Sequence, residues 1–476
     1  MTKAMMSLAQ AAIVMNGKLL GSDMTFGSVG TDSRNTIKGE LFFAIKGENF
    51  DGEQYALDAM KHGAAAVVIV DENNPARPAI LVQDALLALG ELAKYWVRYW
   101  RNQFNKPVIA ITGSNGKTTT KEMLTIILNV ATGNQNKVHA TDGNLNNDIG
   151  LPLTLLKLKP VHEYAVVEMG MNHLLEIDYL THIANPDIAL INNAGTAHIG
   201  ELGSLMNIAQ AKGEIFAGLA NDGTAVINND DAYADYWKSL NVNRKIITFG
   251  IKKQSDVMAS YIAKTNLSEI TLKTPTGMVR FLLNILGSHN INNALAAAAC
   301  AVALNISNED IVVGLSRFEG VYGRLQRKAA LNGAVIIDDT YNANPDSMKA
   351  AIDVLASQSG DKILVLGAMG ELGDTSPQMH YEIGAYAKAA GLKKLYCLNE
   401  ITGEKTGELS AQIISGFGEG AVLLSTPEAI SAKILAQLSI GTTVLIKGSR
   451  FMKMENVVKL LETSSEHIDT KLKEDC

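Results

Sequence analysis

The sequence predicts an α/β protein built as three domains. Length is the first observation, since 476 residues at roughly 150 per domain leave room for three cores. Short apolar, β-branched runs alternating with helically spaced stretches along most of the chain are the second. The third is a glycine turn at 113–116 set between one such run and one such helix. A hydrophobic share of 47% and a charged share of 19% suit packed domains and exclude a disordered chain.

Charge and cysteine narrow the class. A net charge of −7 without a long basic run argues against a nucleic-acid partner, so any phosphate is met at a local site. Cys300, Cys397 and Cys476 lie far apart and form no Cys-x-x-Cys, which implies reduced thiols, no zinc knuckle and a cytoplasmic setting. Lys3 with the apolar stretch to Met15 resembles a leader only superficially, because Ser7 and Gln10 interrupt it and no cleavage signal follows. Ser7 reads better as a helix N-cap. The most apolar segment, 294–304, is too short for a bilayer, which takes about 20 residues, so no membrane insertion is expected.

Residues 1–104 form a small mixed α/β domain. Thr31-Asp32-Ser33-Arg34, the strand-like run 41–45 and Lys46 at its end suit either a second phosphorylated group or a solvated turn. The helical run 86–100 closes this domain, and 104–107 reads as a joint.

Residues 105–319 form a central domain with a mostly parallel, P-loop-type sheet. The run 107–112 is a buried strand and the stretch from Lys117 is a helix, so Gly113-Ser114-Asn115-Gly116-Lys117-Thr118-Thr119 lies where a helix N-terminus receives phosphate. Gly113 and Gly116 let backbone N–H groups converge on an anion, Lys117 adds a point charge, and the Thr118 hydroxyl can ligate Mg²⁺. The loop is one of two residues between glycines, not four, and neither Asn-Lys-x-Asp nor Asp-x-x-Gly follows. That argues against an ordinary GTPase or kinase.

Ligands of such sheets sit at the carboxyl ends of strands. Two candidates stand there: Glu168 after the run 164–167, and His198 beyond the run 187–191, each readable as a metal ligand or as a structural group. Leu205, Ile208, Lys212, Ile215 and Leu219 step by three and four, which puts Lys212 on an apolar stripe. Its pattern favours a salt bridge; the alternative is a neutral amine that takes up CO₂ as a carbamate. Asn146 and Asn147 lie in a polar loop suited to a ligand or to self-capping, and Asn290 and Asn293, one helical turn apart, can face a base.

Residues 320–476 alternate strand and helix again, a Rossmann-like third domain without a Gly-x-Gly-x-x-Gly fingerprint and hence without an NAD site. The run 334–337 ends in Asp338-Asp339-Thr340-Tyr341-Asn342-Ala343-Asn344-Pro345, where Asn344 caps a helix begun by Pro345. Lys447 and Arg450 make a basic strand end suited to a carboxylate. The polar tail is expected to fray.

Together TGSNGKTT, GNLNNDIGLP, AKGEIF, GSHNINNALAAAA, DDTYNANPDSM and KGSR resemble the Mur ligases across the whole chain. The YNANP loop, lacking the histidine of the single-amino-acid-adding members, looks like the branch that joins D-alanyl-D-alanine to UDP-N-acetylmuramoyl-tripeptide. The resemblance implies an acyl-phosphate mechanism with ATP and Mg²⁺. Gly113 to Thr119 would hold the phosphates, with Lys117 on the β- and γ-phosphates. Thr118 and Glu168 would bind one Mg²⁺, and His198 with carbamylated Lys212 a second; Lys117, His198 and Lys212 form the catalytic set. Asn290 and Asn293 would hold the nucleotide, with Arg324 and Asp339 closing over it. Ser33, Arg34 and Lys46 would meet the uridine nucleotide, and Asn146 and Asn147 the muramoyl-peptide. Tyr341, Asn342, Asn344, Lys447 and Arg450 fall to the dipeptide. A monomer closing its third domain on ligand is expected. The runners-up are a folylpolyglutamate synthase-like ligase and a non-catalytic nucleotide switch.

Overall fold

The computed structural model describes residues 4–47, 50–264, 267–399 and 406–462. Lys3, Glu48, Asn49, Cys476 and residues 463–476 of the tail lie outside the described residues. Ser7 caps the helix Leu8–Val14: its hydroxyl accepts the Gln10 N–H at 3.2 Å, and the Gln10 side chain accepts the Ser7 N–H at 3.3 Å, closing a capping box. This helix buries Leu8, Ala11 and Ala12 while Ile13 faces solvent, so it packs on one face only.

Five strands form the main sheet of the first domain: Lys18–Leu20, Ser28–Gly30, Glu40–Phe43, Ala66–Ile69 and Ala79–Leu81. They pair in the order first, fifth, fourth, third, second, parallel except for the antiparallel first–fifth pair. The helix Ala85–Phe104, capped by Asp84 through the Leu86 and Leu87 N–H groups, was expected to close this domain. It does more. The Trp96 and Trp100 indoles donate to the carbonyls of Leu158 (3.1 Å) and Lys159 (3.0 Å), and Arg101 pairs with Asp187. One apolar core runs from Leu8 through Leu92 to Leu155 and Leu180, so residues 104–107 form a seam between two packed bodies and not a free joint.

Nine strands build the central sheet: Val108–Thr112, Val138–Ala140, Tyr164–Glu168, Ile188–Ile191, Thr224–Asn228, Lys245–Gly250, Val257–Ala263, Ser268–Thr274 and Gly277–Leu283. Their order is second, third, first, then fourth to ninth, with only the last two pairings antiparallel. Val108–Thr112 is buried throughout, as a strand covered on both faces by helices must be. Its neighbours run off in opposite directions along the sheet, which opens a crevice at its carboxyl end.

The third sheet comprises Gln326–Ala329, Val335–Asp339, Lys362–Leu366, Leu395–Leu398, Ala421–Leu424 and Thr443–Lys447, ordered first, second, sixth, third, fourth, fifth. Only the first is antiparallel to its neighbour. Asn344 caps Pro345–Ala356 by accepting the Ser347 N–H at 2.9 Å, with Pro345 fixing the first turn. Cys300 and Cys397 are buried free thiols that burial pushes far above the ordinary range, which leaves them inert. Among the described residues no helix is long and apolar enough to cross a membrane.

Candidate active site

The strand Val108–Thr112 hands over to the helix Lys117–Thr132 through the glycine loop, and the neighbouring strand end holds that loop in shape. Asn193 accepts the Ser114 N–H on its carbonyl (3.0 Å) and the Asn115 N–H on Oδ1 (2.9 Å), while the Asn192 and Asn193 amides donate to the Asn115 carbonyl at 2.9 and 3.0 Å. Gly116 has φ 81°, and a Cβ there would lie 2.1 Å from Asn293 Oδ1 and 2.5 Å from Asn192 Nδ2. Only glycine fits. Lys117 folds back so that Nζ donates to the Gly113 carbonyl at 2.7 Å. Burial lowers the proton affinity of its amine, while the Glu168 carboxylate works the other way.

The loop forms one wall of a cleft of about 1350 Å³. Single-ligand pockets hold roughly 300–1,000 Å³, so this one has room for more than one substrate. Ser114, Asn115, Gly116, Lys117, Thr118, Thr119, Asn146, Asn147, Glu168, His198 and Asn290 line it from the central domain. Arg324, Asp339, Tyr341, Asn342, Asn344, Lys447 and Arg450 line it from the third.

Beside the loop, the Thr118 hydroxyl donates to Glu168 Oε2 at 3.2 Å, and Glu168 Oε1 is buried with no partner. A hydroxyl and an orphaned carboxylate oxygen form a hard donor pair that fits Mg²⁺, which takes few protein ligands and keeps water and phosphate oxygens. No group of three His, Cys, Asp or Glu gathers into a ready cage among the described residues. Lys212, 1% exposed, sits on the helix Leu205–Gly213 with no carboxylate within ion-pair distance among the described residues. Burial, and then the charge of Lys117, push its amine well below the ordinary lysine range. The salt bridge that its pattern favoured is absent from the structure.

The third domain reaches into this site at several points. Arg324 donates to Thr118 Oγ1 at 3.0 Å while its guanidinium lies 4.2 Å from the Tyr341 ring centroid. Asn344 Nδ2 donates to Asn115 Oδ1 at 2.8 Å, and Asp346 accepts the Thr196 N–H and hydroxyl at 2.7 and 2.9 Å. Glu371 Oε2 stands 2.8 Å from His198 Nδ1, at an angle off the line of an ideal hydrogen bond, and His198 holds that carboxyl below the usual range. The domain is therefore closed onto the loop.

Three family descriptions match consecutive stretches: "Mur ligase family, catalytic domain" over 25–96, "Mur ligase middle domain" over 111–301 and "Mur ligase, glutamate ligase domain" over 323–450. A UDP-N-acetylmuramoyl-tripeptide–D-alanyl-D-alanine ligase of Escherichia coli (strain K12) is 41% identical over 459 residues, covering 96% of this chain and 98% of the relative. The chain belongs to the Mur ligase family. Among solved structures, MurF from Acinetobacter baumannii matches with TM-score 0.85 at 35% identity, covering 95% of this chain and 98% of that one. MurF from Thermotoga maritima in complex with ADP matches with TM-score 0.81 at 28% identity, covering 92% and 98%.

In this Mur ligase several candidates stand away from the cleft. Gly113, Lys212 and Asn293 do not line it, nor do Ser33, Arg34 and Lys46 of the first domain. Arg34 is exposed and grips Asp32 through two 2.8 Å bonds, and Lys46 lies 4.0 Å from Asp51. Asn293 acts as a strut: Nδ2 donates to Asn290 Oδ1 at 2.9 Å and Oδ1 accepts the Asn192 amide at 2.8 Å. Asn290 spends its own amide on the Leu286 carbonyl at 2.7 Å. Lys447 is 3% exposed and committed to Asp339 at 2.7 Å and the Asn342 carbonyl at 2.8 Å. It carries no free charge for a carboxylate, so of the two basic candidates the exposed Arg450, 3.3 Å from Glu455, is the reachable one. Glu371, Asp346 and His289 also line the cleft and were missed. The signal for Glu371 was its place beyond a strand's carboxyl end, within a glycine stretch screened only for a dinucleotide fingerprint.

Proposed function

We infer that the chain is an ATP-dependent amide ligase that joins D-alanyl-D-alanine to UDP-N-acetylmuramoyl-tripeptide in the synthesis of peptidoglycan precursors. The observation that carries this is the convergence of third-domain groups Arg324 and Asn344 on the phosphate loop within one large cleft. Near full-length likeness to ligases of that name supports this substrate pair over a folylpolyglutamate synthase or a switch.

An ionised carboxylate resists attack by an amine, so the tripeptide's terminal carboxylate must first take the γ-phosphoryl group of ATP. ADP departs, the dipeptide amine attacks the acyl phosphate, and phosphate leaves as the amide forms. The loop N–H groups and Lys117 would hold the transferring phosphoryl group and offset its charge. Arg324, stacked on Tyr341, would add a second cation from the opposite wall. Thr118 and Glu168 would hold Mg²⁺, which when bound neutralises phosphate oxygens. His198 and a carbamate on Lys212 would hold a second ion: the neutral amine adds to CO₂, a proton leaves, and the buried side chain becomes an anion. The Asn342 side chain suits the peptide bond and Arg450 the distant carboxylate, while the Asn344 amide is already spent on the Ser347 N–H and on Asn115.

Asn146 and Asn147 would meet the muramoyl-peptide, and Ser33, Arg34 and Lys46 the uridine nucleotide. Both walls of the cleft come from one chain, so we place a complete site in a monomer. We place the reaction in the cytoplasm, where ATP is at hand. The test is ADP release with each substrate omitted in turn. Release should need the nucleotide-sugar tripeptide and the dipeptide together, and release with ATP alone would support the switch.

A further inference from the structure

Glu371 has no part in the chemistry above, yet it makes the closest contact between the third domain and a candidate metal ligand. We propose that Glu371 is a positioning residue: its carboxylate fixes the His198 imidazole through Nδ1, so that Nε2 carries the lone pair into the cleft. The role in turnover rests on the ligase reading; the positioning itself does not.

The 2.8 Å approach of Oε2 to Nδ1 is the first observation: it lies off the line of an ideal hydrogen bond, and the buried Nδ1 meets no other partner among the described residues. Which imidazole nitrogen carries the proton is set by what the other meets, and a carboxylate at Nδ1 selects the Nδ1–H form. Backbone conformation is the second observation. His198 (φ 62°) and Glu371 (φ 63°) are both non-glycine residues in the left-handed region, and such strain persists only where neighbours over-determine it. They do so here: the Glu371 carbonyl accepts the Gly200 N–H at 3.1 Å, and the His198 carbonyl accepts the Leu202 N–H at 3.1 Å. Gly200 is pressed so closely on the opposite loop that a Cβ would lie 2.5 Å from Gly373 N. Two strained residues are thus locked face to face across the domain contact, which is more than a surface ion pair requires. Because Glu371 belongs to the third domain, His198 is oriented only while that domain is docked, and closure readies the imidazole.

The experiment is long-range ¹H–¹⁵N spectroscopy of histidine-labelled full-length chain, with the His198 signal assigned by H198Q. The wild type should show Nδ1–H. E371Q, whose amide oxygen still accepts, should keep that form and most of the turnover. E371G suits the left-handed backbone and should fold with no lower melting temperature. It should lose the tautomer preference and about 10–100-fold in kcat, as loss of an orienting partner does, with little change in KM for ATP. Retention of Nδ1–H in E371G would overturn the proposal, as would an E371Q as impaired as E371G, the pattern of a plain ion pair. If the ligase reading fails, the kcat comparison disappears, while the tautomer comparison still decides the positioning.

Discussion

Burial and then the charge of Lys117 lower the proton affinity of the Lys212 amine, and at Lys212 no carboxylate stands within ion-pair distance among the described residues. Lys117→Ala should lower turnover by at least about 10²–10³-fold, the scale of losing one transition-state charge partner, while leaving the thermal unfolding profile intact. Lys212→Ala should also inactivate, and short carboxylic acids should restore part of the activity by standing where the carbamate would lie. Absence of rescue together with lost stability would mark Lys212 as structural. Glu40 gives a pH test. It is 6% exposed, and burial pushes its carboxyl from 4.5 to about 7. Between those values the fold binds a proton that the unfolded chain has released, so stability falls as pH rises through this window and stays low above it. Glu40→Gln should therefore stabilise the chain at pH 8 by about 1–2 kcal/mol and change little at pH 4, as read from denaturant unfolding at both pH values.

At the scale of elements, what could be read from sequence was what depends on neighbours in the chain. The glycine loop, the Ser7 and Asn344 caps and the strand-end position of Glu168 each need only a few consecutive residues, and the structure has them where the pattern put them. The partner of Lys447 depends on strand order: Thr443–Lys447 inserts beside Val335–Asp339, and the register sets Lys447 opposite Asp339. Trp96 and Trp100 gave no sign that their indoles would bind carbonyls some sixty residues on. Asn290 and Asn293 were correctly placed one turn apart, but the pattern could not say whether they face a ligand or each other. The four-residue helix Ile199–Leu202 offers a direct test of the domain contact. A Cβ on Gly200 would lie 2.5 Å from Gly373 N and 2.8 Å from the Glu371 carbonyl, both backbone atoms that cannot rotate away. Gly200→Ala should keep ATP affinity, lower turnover and enlarge the radius of gyration in small-angle scattering.

At the scale of the whole molecule, the first two domains share one core, while the third meets them through polar contacts around the phosphate loop and through Leu286 and Ile199, which pack against its own core. Such an interface can open to admit three substrates and close to keep water from the acyl phosphate. No motif reveals this division, because it depends on which cores merge. In the proposed ligase, closure would also define the amine pocket, since Tyr341, Asn342, Asn344 and Arg450 line the cleft from the third domain. A site built for a peptide amide and a distant carboxylate leaves polar groups unpaired around a single amino acid, so it should reject one strongly. The most direct test supplies D-alanyl-D-alanine, D-alanine, L-lysine and L-glutamate separately with ATP and UDP-N-acetylmuramoyl-tripeptide, and follows the ligated product by mass. The dipeptide should be joined far faster than any single amino acid; equal rates for all four amines would contradict the account.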